Sequence, residues 1–372
     1  MAALFEPLPL RSLLLPNRIM VSPMCQYSAV EGCATAWHHA HLLCLAGSGA
    51  SLLCVEATAV TREGRITPGC LGLWDDTCEA ALAPLVRLIR TTSPIRLAMQ
   101  LAHAGRKGSS RPPWEGGRLL PPEEGGWVPE APSSVAHAPG EAPPRELARD
   151  ELPGLREAFA EAARRAARLD FDALEVHMAH GYLLHEFLSP VANRRRDDYG
   201  GDLAGRMRFP LEVFDAVRAA FPADRPVGVR VSATDWLDDE DSWTPAQTLE
   251  LARQLQSRGC DWIDVSSGGI SPRQKVAAGP GYQAPFAQAL REATGMTTIA
   301  VGLITEPQQA EDIVASGQAD MVALARGMLY DPRWPWHAAA VLGGVVPGPR
   351  QYWRGLPKAA AHIFGDISFS QR

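Results

Sequence analysis

Residues 297–332 read TTIAVGLITEPQQAEDIVASGQADMVALARGMLYDP. TTIAVG (297–302) and DMVALA (320–325) are short apolar runs, continuous rather than alternating, as strands covered on both faces are. EPQQAEDIVASGQ (306–318), between them, has a helical pattern. Strand, helix and strand again is the repeating unit of a parallel sheet.

The same unit recurs toward the N-terminus. RIMVSP (18–23), SLLCVEA (51–57), IRLAMQL (95–101), DALEVH (172–177), VGVRVS (227–232) and WIDVSS (262–267) are further strand candidates. Helical patterns occupy 145–169, 206–221 and 244–259. In the second, Pro210 is a first-turn or kink residue. In the third, Thr244 is the N-cap, Pro245 the first helical residue and Gly259 the end. Eight strands, most followed by a helix, predict a (β/α)₈ TIM barrel. The rival, a doubly wound open sheet, lacks a GxGxxG after an early strand in its dinucleotide-binding form. Residues 107–146 break the alternation with Pro, Gly and Ser. Following the third strand, they predict a long rim loop that is a lid or wall of a site, rather than a linker. The whole chain, 1–372, reads as a single barrel domain.

Composition narrows the function. The chain is 46% hydrophobic and 21% charged, which is globular, and its net charge of −6 without a basic block disfavours nucleic acid. The N-terminus has no basic stretch before an apolar run, so it does not read as a signal peptide. Leu42 to Val60 is broken by Gly, Ser and Glu56, so no membrane span is expected. Seven cysteines without a CxxC argue against a disulfide framework or iron–sulfur cluster and favour a reducing cytoplasm.

Catalytic groups of a barrel sit where its strands end. Those ends are Pro23-Met24-Cys25, Glu56-Ala57, Gln100, His177, Arg230, Ser266, Gly302 and Ala325-Arg326. Gln100, His177 and Arg230 are polar beside long apolar runs, so each needs a partner. Gly302 with Ala325 and Arg326, after strands seven and eight, suits a phosphate. The stretch LEVHMAHGYLLHEFLSP (174–190) adds His180 and Tyr182. Its histidines could bind a metal, hold an anion, run acid–base chemistry or pack.

Taken together, SPMCQYS (22–28), AHAGRK (102–107), HMAHGYLLHEFLSPVANRRRDDYGGDLAGRMRF (177–209), VRVSATDW (229–236), AVGLIT (300–305) and LARGMLYDP (324–332) resemble the Old Yellow Enzyme family of flavoproteins. The likeness runs from Phe5 to Arg354. It is strongest to the bacterial enoate reductases that include the xenobiotic reductases. Those have a histidine at the position of His180 and a cysteine at that of Cys25, where many other members carry Asn and Thr.

The resemblance implies noncovalent FMN, NADPH or NADH as reductant, and small activated alkenes as substrates. It implies that Ser22, Pro23, Met24 and Cys25 line the flavin, that Ala57, Gln100 and Arg230 contact its ring, and that Gly302, Ala325 and Arg326 hold its phosphate. His177 and His180 would bind the substrate oxygen, with Tyr27 nearby, and Tyr182 would donate a proton. Side reactions with nitro compounds and quinones are expected of such a flavin. The segment 347–372 would lie at a subunit interface of a homodimer or homotetramer, with Tyr352, Trp353 and Arg354 reaching the neighbouring subunit's site. Cys25 reads as tuning the flavin rather than as a nucleophile, having no partner base.

Two other readings are open. A metal-dependent barrel hydrolase would need a third ligand beside His177 and His180, and no HxH follows the first strand. His38, His39 and His41 form a separate cluster on the first helix. A flavin-binding protein that has lost catalysis would not need His177, His180 and Tyr182 together. The acidic segment LDDEDSW (237–243) reads as a solvated loop.

Overall fold

In the computed structural model, which describes residues 2–366, eight parallel strands close into a barrel. They are β1 (Ile19–Val21), β2 (Leu52–Ala59), β3 (Arg96–Ala102), β4 (Ala173–Met178), β5 (Val227–Ser232), β6 (Trp262–Ser266), β7 (Thr297–Val301) and β8 (Met321–Leu324). Each pairs with its neighbours in chain order, and β8 closes on β1. This is the expected (β/α)₈ barrel, with every strand where the sequence placed it.

Around it run α1 (Ala36–Ala46), α2 (Asp76–Thr92), α3 (Leu152–Arg168), the short α4 (Leu183–Leu188), α5 (Leu203–Ala220), α6 (Pro245–Ser257), α7 (Ala284–Thr294), α8 (Pro307–Ala315), α9 (Arg326–Tyr330) and α10 (Trp334–Leu342). Thr244 caps α6 as read from sequence, its Oγ1 accepting from Gln247 N. Two boundaries differ. The helix expected over 145–169 starts at Leu152, with Pro153 in its first turn. Arg145–Glu146 instead pairs with Glu130–Ala131 in a two-stranded ladder. The helix expected from 206 starts at Leu203, capped by Asp202, whose Oδ1 accepts from Gly205 N at 2.8 Å. Pro210 therefore lies inside α5 rather than in its first turn.

Almost every strand residue is buried, yet the two faces of the pleat bury differently. On β4, Leu174, Val176 and Met178 belong to the large apolar core shared with the helices. Ala173 belongs to a second core with Met20, Leu52, Trp262 and Met321, near the strand starts. The hairpin Leu8–Leu10 and Leu13–Leu15 contributes Leu8, Leu10, Leu13 and Leu15 to this second core and plugs that end of the barrel. Above the plug, positions of the same parity turn polar: Gln100, Glu175, His177, Arg230, Asp264 and Ser266. A barrel interior is filled in such layers, so the plug leaves the polar layers at the strand ends.

The 107–146 loop lies on that rim. Arg106 Nη1 donates to Val135 O at 3.2 Å, Arg195 Nη1 to Pro132 O at 3.0 Å, and Trp127 Nε1 to Glu63 O at 2.9 Å. These contacts tie the loop to the segments that follow β2, β3 and α4. The acidic 237–243 segment is a rim loop, with Asp239 and Glu240 paired to Lys275 and Arg273. Among the described residues, no helix is long and apolar enough to cross a membrane.

Candidate active site

The polar layer begins with two buried carboxylates. Glu175 accepts from Gln100 Nε2 at 2.7 Å and from Trp262 Nε1 at 3.2 Å. Asp264 stands beside Arg230 in the strand register, with 3.5 Å between its Oδ2 and Arg230 Nε. Arg230 Nη1 donates to Ser22 Oγ at 3.2 Å. These are the partners that Gln100 and Arg230 required. Burial, reinforced by the charge of Asp264, pushes Glu175 up to about 7.

At the end of β4 the chain makes a tight turn. His180 (φ 60°) and Gly181 (φ 72°) are both left-handed. A Cβ on Gly181 would stand 2.1 Å from Gly269 O, so glycine lets the turn pack against the loop after β6. His180 N donates to Ser232 Oγ at 2.9 Å, and its Nε2 lies 2.6 Å from Ser266 Oγ. The His177 ring meets those of His180 and Tyr182 edge-on, with centroids 5.1 and 5.2 Å apart. Lys107 Nζ donates to His180 O at 2.8 Å and Gly269 O at 3.2 Å, and sits 5.0 Å from the Tyr182 ring centroid. Burial pushes Lys107 down to about 8.

Burial, then the charge of Arg230, holds both histidines well below the usual range. They are neutral imidazoles at neutral pH, able to donate a hydrogen bond without carrying charge. Burial pushes Tyr182 up, so its hydroxyl keeps its proton. His177 Nδ1 is buried with no hydrogen-bond partner among the described residues, so it is available to a ligand atom.

Ser22 and Ala57 are buried, and Pro23, Met24, Cys25 and Tyr27 are half-buried along the adjoining wall. β2 runs past Glu56-Ala57 to Ala59 through a register shift between Val55 and Thr58, a bulge of the kind common beside active sites. At β7, Gly302 has φ 122°, and a Cβ there would come within 2.7 Å of Gln283 Nε2. Ala325 precedes α9, and Arg326 is exposed at its start.

These groups fit FMN. The Gln100 amide and the Arg230 cation suit the donor and acceptor edge of the ring, His177 Nδ1 is left without a partner, and the exposed Arg326 guanidinium suits a phosphate.

Tyr352, Trp353 and Arg354 are not brought to this mouth. They lie in a 3₁₀ turn, Arg350–Gly355, where Tyr352 packs on Trp336 and Arg333 of the α10 region. Residues 367–372 of the C-terminal segment lie outside the described residues. His38, His39 and His41 are on α1, where His38 Nδ1 accepts from Thr35 N. Among the described residues, no group of three or more His, Cys, Asp or Glu is placed to hold a metal ion.

Sequence reasoning did not single out Glu175, Asp264 or Lys107. A carboxylate at the centre of an apolar strand, in LEV and IDV, was the available signal. Lys107, one of three lysines, stood inside AHAGRK.

The buried groups predict a stability optimum. His103 and His137 are held near 4 by burial, below the ordinary 6.5, so their contribution is full above about 6.5 and is lost on acidification. Glu175 and Glu186 are raised to about 7 and 8, so their contribution is full below about 4.5 and is lost as pH rises through those values. Between about pH 6.5 and 7.5 the glutamates dominate, before Lys107, lowered to about 8, acts in the opposite sense, and urea-unfolding stability should fall as pH rises. Glu186→Gln should flatten that slope; an unchanged slope would remove Glu186 as its source.

The description "NADH:flavin oxidoreductase / NADH oxidase family" matches residues 3–342. An NADH:flavin oxidoreductase of Gibberella zeae is 42% identical, over 88% of this chain and 83% of its own. The NADPH dehydrogenase of Geobacillus thermodenitrificans is 41% identical, and that of Bacillus subtilis 39%, each over 95% of this chain and 98% of its own. Among solved structures, morphinone reductase in complex with tetrahydroNAD superposes with a TM-score of 0.75 at 28% identity, over 99% of both chains. A 2-naphthoyl-CoA reductase gives a TM-score of 0.81 at 23% identity, a likeness of fold alone. The alignment covers 92% of this chain but only 52% of that longer one.

Proposed function

The chain belongs to the NADH:flavin oxidoreductase / NADH oxidase family, that of Old Yellow Enzyme, and on that premise we propose that it reduces the C=C bond of α,β-unsaturated carbonyl compounds. It is an FMN-dependent oxidoreductase that takes electrons from NADPH or NADH. Bound FMN supplies the hydride chemistry, from reduced nicotinamide to the alkene β-carbon. This chain's residues bind, orient and move the proton.

The observation that carries the reading is the edge-on set of His177, His180 and Tyr182 at the end of β4. His177 and His180 donate hydrogen bonds to the substrate carbonyl oxygen. That oxygen gains charge as the reaction proceeds, so the donors stabilise the transition state more than the ground state. Tyr182 delivers a proton to the α-carbon. Arg230 and Gln100 hold the polar edge of the flavin, with Ser22, Pro23, Met24, Cys25 and Ala57 along its other side. Gly302, Ala325 and Arg326 hold the phosphate. Tyr27 borders the substrate, and nitro compounds or quinones enter the same mouth as side substrates.

The exposed Tyr352, packed away from its own mouth, suits a role across a subunit interface with Trp353 and Arg354. The assembly is then a homodimer or homotetramer.

Stopped-flow mixing tests the reading. NADPH or NADH should bleach the flavin absorbance, and an enone should restore it anaerobically. A bleached enzyme that no enone, maleimide or quinone reoxidises would overturn it.

A further inference from the structure

The tight turn after β4 rests on a buried pair that the chemistry above does not use. His180 (φ 60°) carries a side chain in the left-handed region, which favours glycine, so the turn is strained and must be fixed by its surroundings. His185, on α4, supplies one fixing point, its Nδ1 accepting from Gly181 N at 2.9 Å. Its Nε2 stands 2.9 Å from Oδ1 of Asp235, just past β5, and both side chains are wholly buried. Among the described residues, neither atom has another hydrogen-bond partner. The second oxygen of Asp235, Oδ2, accepts from Ser189 Oγ at 2.6 Å and from Trp243 N at 2.8 Å.

The Gly181 amide assigns the His185 tautomer. A backbone N–H can only donate, so the Nδ1 that receives it carries no proton. The ring proton then lies on Nε2, toward a carboxylate that can only accept. Ser189 and Trp243 anchor that carboxylate from its far side. The chain of contacts therefore runs from Asp235 through His185 to Gly181, the residue between His180 and Tyr182. Ser232 Oγ and Lys107 Nζ hold the N and O of His180 separately, so losing the Gly181 contact loosens the turn without releasing it.

We propose that His185 and Asp235 are positioning residues for alkene reduction. Asp235 fixes the His185 tautomer, His185 Nδ1 fixes Gly181 N, and the fixed turn aims the His180 and Tyr182 side chains. The inference rests on the roles given to His180 and Tyr182 above.

The test makes Asp235→Asn in two backgrounds. The amide keeps the shape of the carboxylate. Its oxygen stays with Ser189 Oγ and Trp243 N, so its NH2 group faces His185 Nε2 and drives the ring proton to Nδ1, where it meets Gly181 N–H. In FMN-loaded Asp235→Asn, reoxidation by 2-cyclohexenone should slow at least about tenfold, while flavin reduction by NADPH or NADH changes less than about threefold. His185→Asn presents an amide oxygen near the place of Nδ1 and has no ring proton to move. In that background, adding Asp235→Asn should slow reoxidation by less than about twofold further. ¹⁵N NMR of histidine-labelled protein should show His185 with a bare Nδ1 in the parent enzyme and a protonated Nδ1 in Asp235→Asn, its signals identified by their loss in His185→Asn. Unchanged reoxidation in Asp235→Asn, an equal effect in both backgrounds, equal slowing of both half-reactions, or a protonated Nδ1 in the parent enzyme would each overturn the proposal. A parent enzyme that no enone reoxidises overturns the flavin-site reading instead, and the NMR still decides whether Asp235 sets the ring.

Discussion

Tyr182→Phe should slow reoxidation by an enone by about 10²- to 10⁴-fold, the usual worth of a general acid, while flavin reduction by NADPH or NADH stays within about twofold. The asymmetry follows from where the hydroxyl acts. Only the alkene half-reaction needs a proton at carbon. Burial pushes Tyr182 up, so the phenol is a ready donor throughout the neutral range. The loss should be smallest for alkenes whose reduced form is a stable anion, since these need least help from the acid. The phenylalanine ring still fills the edge-on contact with His177, so packing survives. Equal slowing of both half-reactions would show that Tyr182 shapes the site rather than supplying the proton.

His177→Ala should lower kcat/KM for enones by about 10²- to 10³-fold, as expected for removing one donor to a developing oxyanion. Phenol binding, followed by the long-wavelength flavin band, should weaken by at least about tenfold. Phenolate presents the same oxygen without reacting, so binding and catalysis should fail together. The histidine is neutral because burial and Arg230 disfavour its charged form. The pH profile of the remaining activity should therefore show no lost histidine ionisation between about 6 and 8. Unchanged phenol affinity would contradict the assigned donor.

How far the sequence reached depends on the distance over which each feature is decided. The eight strands were legible because a doubly covered strand must be apolar nearly throughout. The start of α3 is not legible because residues 145–151 carry helical spacing, while Arg145–Glu146 pairs with Glu130–Ala131, a contact no local pattern shows. The start of α5 was misjudged because its cap, Asp202, sits among other polar residues of a loop.

The site divides in the same way. Gln100, His177 and Arg230 were visible as polar residues at the ends of apolar strands. The sequence could say that each needs a partner, but not which. Glu175 lies 75 residues from Gln100, and Asp264 is on the next strand from Arg230. Barrel closure and strand register bring them together, and neither is a local property.

By itself, the sequence determined the barrel, the order of its strands and the residue types at their ends, because these follow from local periodicity and side-chain chemistry. Tertiary structure alone decided which carboxylate faces which cation, and that the two histidines are neutral. Each depends on burial and on charges that approach only when the barrel closes.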